Sequence, residues 1–236
     1  MKTYKDVENA LKSIADKDIA EHSSRFFKTG KGEYGEGDVF LGIRVPEQRN
    51  IAKKYQGIPL DDVNYLLESE FHEIRLTTLF ILVHKYRKAN NLDKEKIYRF
   101  YMDHLDAVNN WDLVDSSAKY IAGHYLFEKD KTVLYKLAKS DNLWERRVSV
   151  IATHYFIDQG YLQDTFHIAE LLLHDSEDLI HKAVGWMLRE AGKKDKPSLL
   201  SFLKKHHSEM PRTMLRYAIE KFPDDERRMI LTGNWS

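Results

Sequence analysis

Apolar residues recur along this chain at the helical spacing i, i+3, i+4 and i+7. Leu76, Leu79, Phe80 and Val83 make one such stripe, and Val148, Ile151, Ala152 and Tyr155 make another. Ile180, Ala183, Val184, Met187, Leu188 and Ala191 extend the same pattern over a third segment. Residues so spaced share one face of an α-helix. No segment alternates apolar and polar positions well enough to predict a strand. Boundaries are marked as well. Pro46, Pro197 and Pro211 suit first helical turns, where the missing N–H costs nothing. Asn109-Asn110, Asp141-Asn142 and Asp175-Ser176 are natural N-cap pairs.

The predicted helix starts repeat. They fall near Phe71, Asn109, Asp141, Ser176 and Met210, about 32–38 residues apart, with a second helical segment between each two. That period predicts an all-α fold, an α-α superhelix (solenoid) of about six HEAT-like helical hairpins with one concave face. One hairpin cannot bury both its faces, so stacked hairpins share a core. No stretch is rich enough in Pro, Gly or Ser to act as a linker, and residues 1–236 read as a single domain. The exception to the helical pattern is 29–42, where five glycines fall within 14 residues. It lacks the G-x-x-x-x-G-K-[ST] pattern of a phosphate-binding loop. It is expected to be a mobile connection, although a loop beside a groove could still touch phosphates through its N–H groups.

Composition narrows the chemistry. Without cysteine, disulfides, thiolate nucleophiles and Cys-ligated metal centres are excluded. There is no H-E-x-x-H, and His206-His207 lack ligand spacing, so neither a metal nor a cofactor is expected. His84, His124 and His154 read as surface or satisfied core residues. No apolar run approaches the roughly 18 residues of a spanning helix, and the N-terminus lacks the apolar core of a signal peptide. A cytoplasmic, nucleoid-associated location without membrane contact is expected, in a monomer whose groove stays accessible.

Net charge is zero, with 37 basic and 37 acidic residues, but the charge is sorted. Residues 161–180 hold five acids and no Lys or Arg, whereas 181–216 hold nine Lys or Arg against three acids. Such sorting fits a basic binding face or an ordinary solvated surface. Opposite the apolar stripe of 180–191 lies another, Lys182, Trp186, Arg189 and Lys193. An indole among three cations suits an anionic, aromatic ligand such as nucleic acid, or cations whose stems cover the ring. Trp111 and Asp115 are i, i+4 neighbours, with Val114, Ala118, Ile121, Ala122 and Tyr125 expected on the core side. Asp115 could equally serve the helix dipole. Trp144 leads a core stripe and Arg147 is expected off it. Trp111, Asp115, Arg147, Trp186 and Arg189 are thus expected from successive repeats along one groove.

The stretches FLGIRVPEQR (40–49), WDLVDS (111–116), SDNLWERR (140–147) and HKAVGWMLRE (181–190) resemble, in order, the AlkD family of bacterial DNA-alkylation repair glycosylases. The resemblance runs over residues 25–220. It implies a HEAT-like solenoid that holds duplex DNA and excises purines made cationic by N3 or N7 alkylation, without a base-flipping pocket. It implies catalytic roles for Trp111, Asp115 and Trp186, and contacts to the DNA backbone by Arg147 and Arg189. Lys182 and Lys193 would hold further phosphates. Arg44 is one more candidate contact, beside a glycine-rich loop longer than in the family's founding member. Two other readings stand beside this one: a non-catalytic HEAT-repeat protein that binds branched or distorted DNA, and a protein–protein scaffold.

Overall fold

The computed structural model describes residues 2–235, and the described residues are helical apart from loops and one isolated bridge between Val39 and Phe71. The chain divides into two compact units, one ending at Ser117 and the other beginning at Ala118. The division falls inside a continuous helical run from 111 to 126, so no linker separates them.

Unit 1 contains α1 (Tyr4–Lys12), α2 (Lys17–Phe26), α3 (Val45–Tyr55), α4 (Leu60–Leu67), α5 (His72–Lys88), α6 (Asn91–Asp103) and α7 (Trp111–Ser117). Side chains start several of these helices. Asp16 accepts from the N–H groups of Asp18 and Ile19, and Asn90 accepts from that of Asp93. A cap of this kind contributes about 1 kcal/mol. Pro46 sits in the first turn of α3. Helix α5 lies between α3 and α7, with α4 and α6 also against it. That position explains its sequence: every residue from His72 to Val83 is buried, not the predicted stripe alone.

Unit 2 begins with a π-helical turn, Lys119–Gly123, and continues through α8 (His124–Leu126), α9 (Thr132–Leu137), α10 (Leu143–Asp158), α11 (Gln163–Leu171), α12 (Asp178–Lys194), α13 (Lys196–His206), α14 (Arg212–Ala218) and α15 (Asp224–Thr232). The π turn, α10, α12 and α14 lie side by side in that order, with α11 against α10 and α13 against α12. In unit 1, α3, α5 and α7 form the matching row. These are the stacked HEAT-like hairpins expected from the period, in an all-α chain. The predicted helix starts agree with the observed ones to within two residues, as at His72, Trp111, Leu143, Asp178 and Arg212. Asn142 caps α10 through the N–H of Trp144 at 2.8 Å. The apolar stripe of α12 is fully buried. Among the described residues, no helix is long and apolar enough to cross a membrane.

Two glycines set how closely the second row packs. A Cβ on Gly185 would lie 2.5 Å from the Met214 carbonyl oxygen, and one on Gly123 would lie 2.2 Å from that of Ala152. Backbone stands directly against backbone at both places, and a side chain would have to force the helices apart. Gly185→Ala should therefore destabilise the fold by about 1–3 kcal/mol, measured by urea denaturation. Gly57→Ala, whose Cβ would meet nothing within 4 Å, should leave the midpoint unchanged or slightly raised.

Candidate functional site

In unit 1 the N-terminus of α7 is held by a buried polar network. The His72 ring lies between two carboxylates, with Nδ1 3.1 Å from Asp38 and Nε2 2.9 Å from Asp112. Both partners accept only, so the ring donates at both nitrogens and is an imidazolium. Burial alone would disfavour that charge. The carboxylates of Asp112 and Asp38 outweigh it and push the pKa up to about 9. Asp38 also accepts from the Arg75 guanidinium and from Asn110 Nδ2 at 2.9 Å. Burial acts against its charge too, yet His72 and Arg75 hold its carboxyl below the usual range. Asn110 Oδ1 accepts from the N–H of Trp111 at 2.8 Å. Two acids and two cations thus balance inside the unit, and together they fix the first turn of α7.

Stacked rings continue from this network. Phe40 and Phe27 lie on the His72 ring, with centroids 4.7 and 4.8 Å away. The Trp111 indole stacks on Phe27 at 5.3 Å and 15°. Phe26, which is exposed, meets Trp111 edge-on at 6.1 Å. Trp111 is half-buried, and Asp115 lies one turn further along the same face of α7, also half-buried. The first-turn acid that favours the helix dipole is Asp112, not Asp115. The Asp115 charge is close enough to add to burial in raising the Tyr101 phenol pKa. An indole and a carboxylate are thus presented together on a helix end that cannot shift without breaking the network.

The glycine-rich loop is held at its end, where Glu73 of α5 accepts from the N–H groups of Leu41 (2.9 Å), Gly42 (2.8 Å) and Ile43 (3.2 Å). Gly42 has φ +82, and a Cβ there would strike the Asp16 carbonyl oxygen. Arg44, just beyond the clamp, is exposed at the start of α3.

In unit 2 the predicted cations are placed less freely than their spacing suggested. Arg147, expected off the core stripe, is buried, and its Nη1 donates to the Leu179 carbonyl at 2.6 Å. Its neighbour Arg146 pairs with Asp175 and donates to the carbonyls of Ser140 and Asp141. The stripe on α12 is also paired: Lys182 with Asp178 (2.7 Å), Lys193 with Glu190 (2.7 Å), and Arg189 with Glu190 and Glu220. Trp186, half-buried among them, meets the His154 ring edge-on at 5.6 Å. Burial, and then Lys119, lower the His154 pKa. Some of the sorted charge is mutually neutralised, since Glu170 of the acidic stretch pairs with Lys205 and His206 of the basic one. The bare basic stripe expected around Trp186 is therefore a row of ion pairs.

Asp38, His72, Arg75 and Asp112 were missed by periodicity. Charged residues within the apolar run after Phe71 were the available signal, because a charge on a fully buried helix needs a partner.

Side-by-side helical hairpins place the chain among the helical-repeat proteins. It belongs to the DNA alkylation repair enzyme family, whose model matches residues 7–222. Membership implies DNA as the substrate. Two solved structures share the fold. One, described as a predicted DNA alkylation repair enzyme from Enterococcus faecalis, is 16% identical with a TM-score of 0.69, covering 89% of this chain and 97% of that one. The other, smu.31 from Streptococcus mutans UA159, is 19% identical with a TM-score of 0.52, covering 94% of this chain and 99% of that one. Among curated proteins, none matches the chain.

The network makes stability depend on pH. Because the folded His72 pKa is raised, its contribution is complete below the unfolded value near 6.5 and is lost as pH rises through about 9. The urea midpoint should therefore fall between these pH values in the wild type. In His72→Gln the midpoint should be lower at pH 6 and flatter across the window. An equal slope in both proteins would show that His72 is not the titrating group.

Proposed function

We propose that this protein is a DNA N-glycosylase that hydrolyses the N-glycosidic bond of N3- or N7-alkylated purines in duplex DNA, without a base-flipping pocket. The observation that carries the reading is the rigidly held Trp111 with Asp115 one turn along, in a chain of the DNA alkylation repair family.

The chemistry asks little of the protein. An alkylated N3 or N7 gives the purine a positive charge, so the base leaves with the C1′–N bonding pair and needs no general acid. Positive charge then grows on the deoxyribose, and a water oxygen must reach C1′. Asp115, as a carboxylate, opposes that charge, orients the water and accepts its proton as the new C–O bond forms. Indole faces attract cations by about 0.5–2 kcal/mol. Trp111 and Trp186 are assigned that role. Such modest assistance suffices for labile cationic lesions and fails for neutral ones.

Arg44, Arg189, Lys182 and Lys193 are assigned to phosphates. Exposed ion pairs contribute only about 0–1 kcal/mol, so Asp178 gives up Lys182 to a phosphate at little cost, whereas Arg189 and Glu190 form a less accessible pair. In the protein, Arg147 is already committed to Leu179 at the start of α12. Its part in DNA binding is therefore proposed to be positioning that helix rather than free phosphate capture.

Asp115→Asn should reduce release of 7-methylguanine from duplex DNA by at least about a hundredfold, while gel-shift affinity for the same duplex survives. Release at the wild-type rate would remove Asp115 from the reaction. Loss of release in the wild type, with binding intact, would favour the non-catalytic reading.

A further inference from the structure

A cleft of about 500 Å³ lies in unit 1, between the α3–α4 turn and the ends of α5 and α6. It is well separated in sequence from Trp111 and Asp115, and none of the residues assigned above lines it. Its walls carry more positive than negative charge, with Lys85, Lys88 and Lys96 against Asp93. Lys85 is half-buried, and its Nζ donates to the Ile58 carbonyl at 2.5 Å. Among the described residues no carboxylate pairs with Lys85, Lys88 or His84. Burial lowers the Lys85 pKa. His84 is pushed down by burial and then by Arg87, Lys88, Arg49 and Lys53. Asp93, the acid in the lining, already accepts from Lys96 at 3.1 Å and from Asn90 at 3.0 Å.

Gln56 also lines the cleft. Gln56 Oε1 is buried there with no hydrogen-bond partner, while the same amide donates through Nε2 to the Lys53 carbonyl at 2.8 Å. A buried unpaired oxygen costs about 1–3 kcal/mol, and cations without counter-charges carry a cost of their own. One kind of ligand relieves both: an anion for the lysines that also carries a hydroxyl or amino group. Leu60 and Ile97 add apolar surface to the lining. A volume of this size falls in the range of small-molecule sites.

We infer that this cleft binds a phosphate ester of nucleotide type, with its anionic oxygens on Lys85, Lys88 and His84 and a hydroxyl or amino donor on Gln56. The ester could be a free mononucleotide or a nucleotide of a DNA strand, and the chemistry is the same. The inference goes beyond the glycosylase reading and stands whether or not a base is released.

His84 reports on the site. A phosphate dianion beside the ring favours the imidazolium and raises its pKa. The His84 ring proton, assigned with His84→Gln, would be titrated by NMR in the full-length protein. The probes are deoxyadenosine monophosphate and a short undamaged duplex. A rise of about one unit is expected with at least one of them. A response to the mononucleotide identifies a free ester, and a response to the duplex alone identifies a strand nucleotide. Lys85→Met with Lys88→Gln should abolish the shift. Should that pair not fold, Lys88→Gln alone, at an exposed position, should weaken binding at least about fivefold. No shift with either probe at millimolar concentration overturns the inference, as does full binding by the folded double variant. Release of 7-methylguanine, read on the same samples, tells failure of the cleft apart from failure of the enzymatic reading.

Discussion

An imidazolium held between two carboxylates governs unit 1. Through Asp38, His72 reaches the loop before α3, and through Asp112 it reaches the first turn of α7. Its ring clusters with those of Phe27 and Phe40. Buried charges persist only when partnered, and removing one member of such a set costs about 3–5 kcal/mol because the others are stranded. The network is thus poor as a general source of stability and effective as a means of placement. Small displacements of the loop, of α5 or of α7 would each leave a charge unmatched. The position of the Trp111 indole follows from that intolerance.

Unit 2 reaches its arrangement by another route. Its row of long helices is closed by apolar stripes and by two contacts too tight for a side chain, at Gly123 and Gly185. Arg147 is buried in this row and the Arg146–Asp175 pair is mostly shielded, while pairs nearer the surface, such as Lys182–Asp178, flank Trp186. Buried ions fix a helix end in one unit, while exchangeable ions surround an indole in the other. For a protein that must grip a polyanion and let it go, cations that can change partners are better suited than cations locked in a core.

Apolar periodicity made the helices legible. The stripe of α12 is buried throughout, and the Asn142 cap stands where the sequence puts it. Both depend on neighbours within a few turns. What could not be read depends on partners far along the chain. Arg147 and Arg146 are adjacent and alike in chemistry, yet both are committed, one to Leu179 and the other to Asp175. Helical phase alone does not reveal a carbonyl or carboxylate some thirty positions away. The same holds for His72, whose acids lie 34 residues before it and 40 after it. For the pair proposed to act on DNA, spacing showed that Trp111 and Asp115 share a face. It did not show the Phe27 ring beneath the indole.

The Glu73 clamp has a consequence for how the glycine-rich stretch moves. One carboxylate consumes three consecutive amide protons, at Leu41, Gly42 and Ile43. Their shared acceptor belongs to α5, the most enclosed helix of its unit. A segment that composition marks as loose is therefore moored at its end to the hydrophobic interior, so that opening there is coupled to α5.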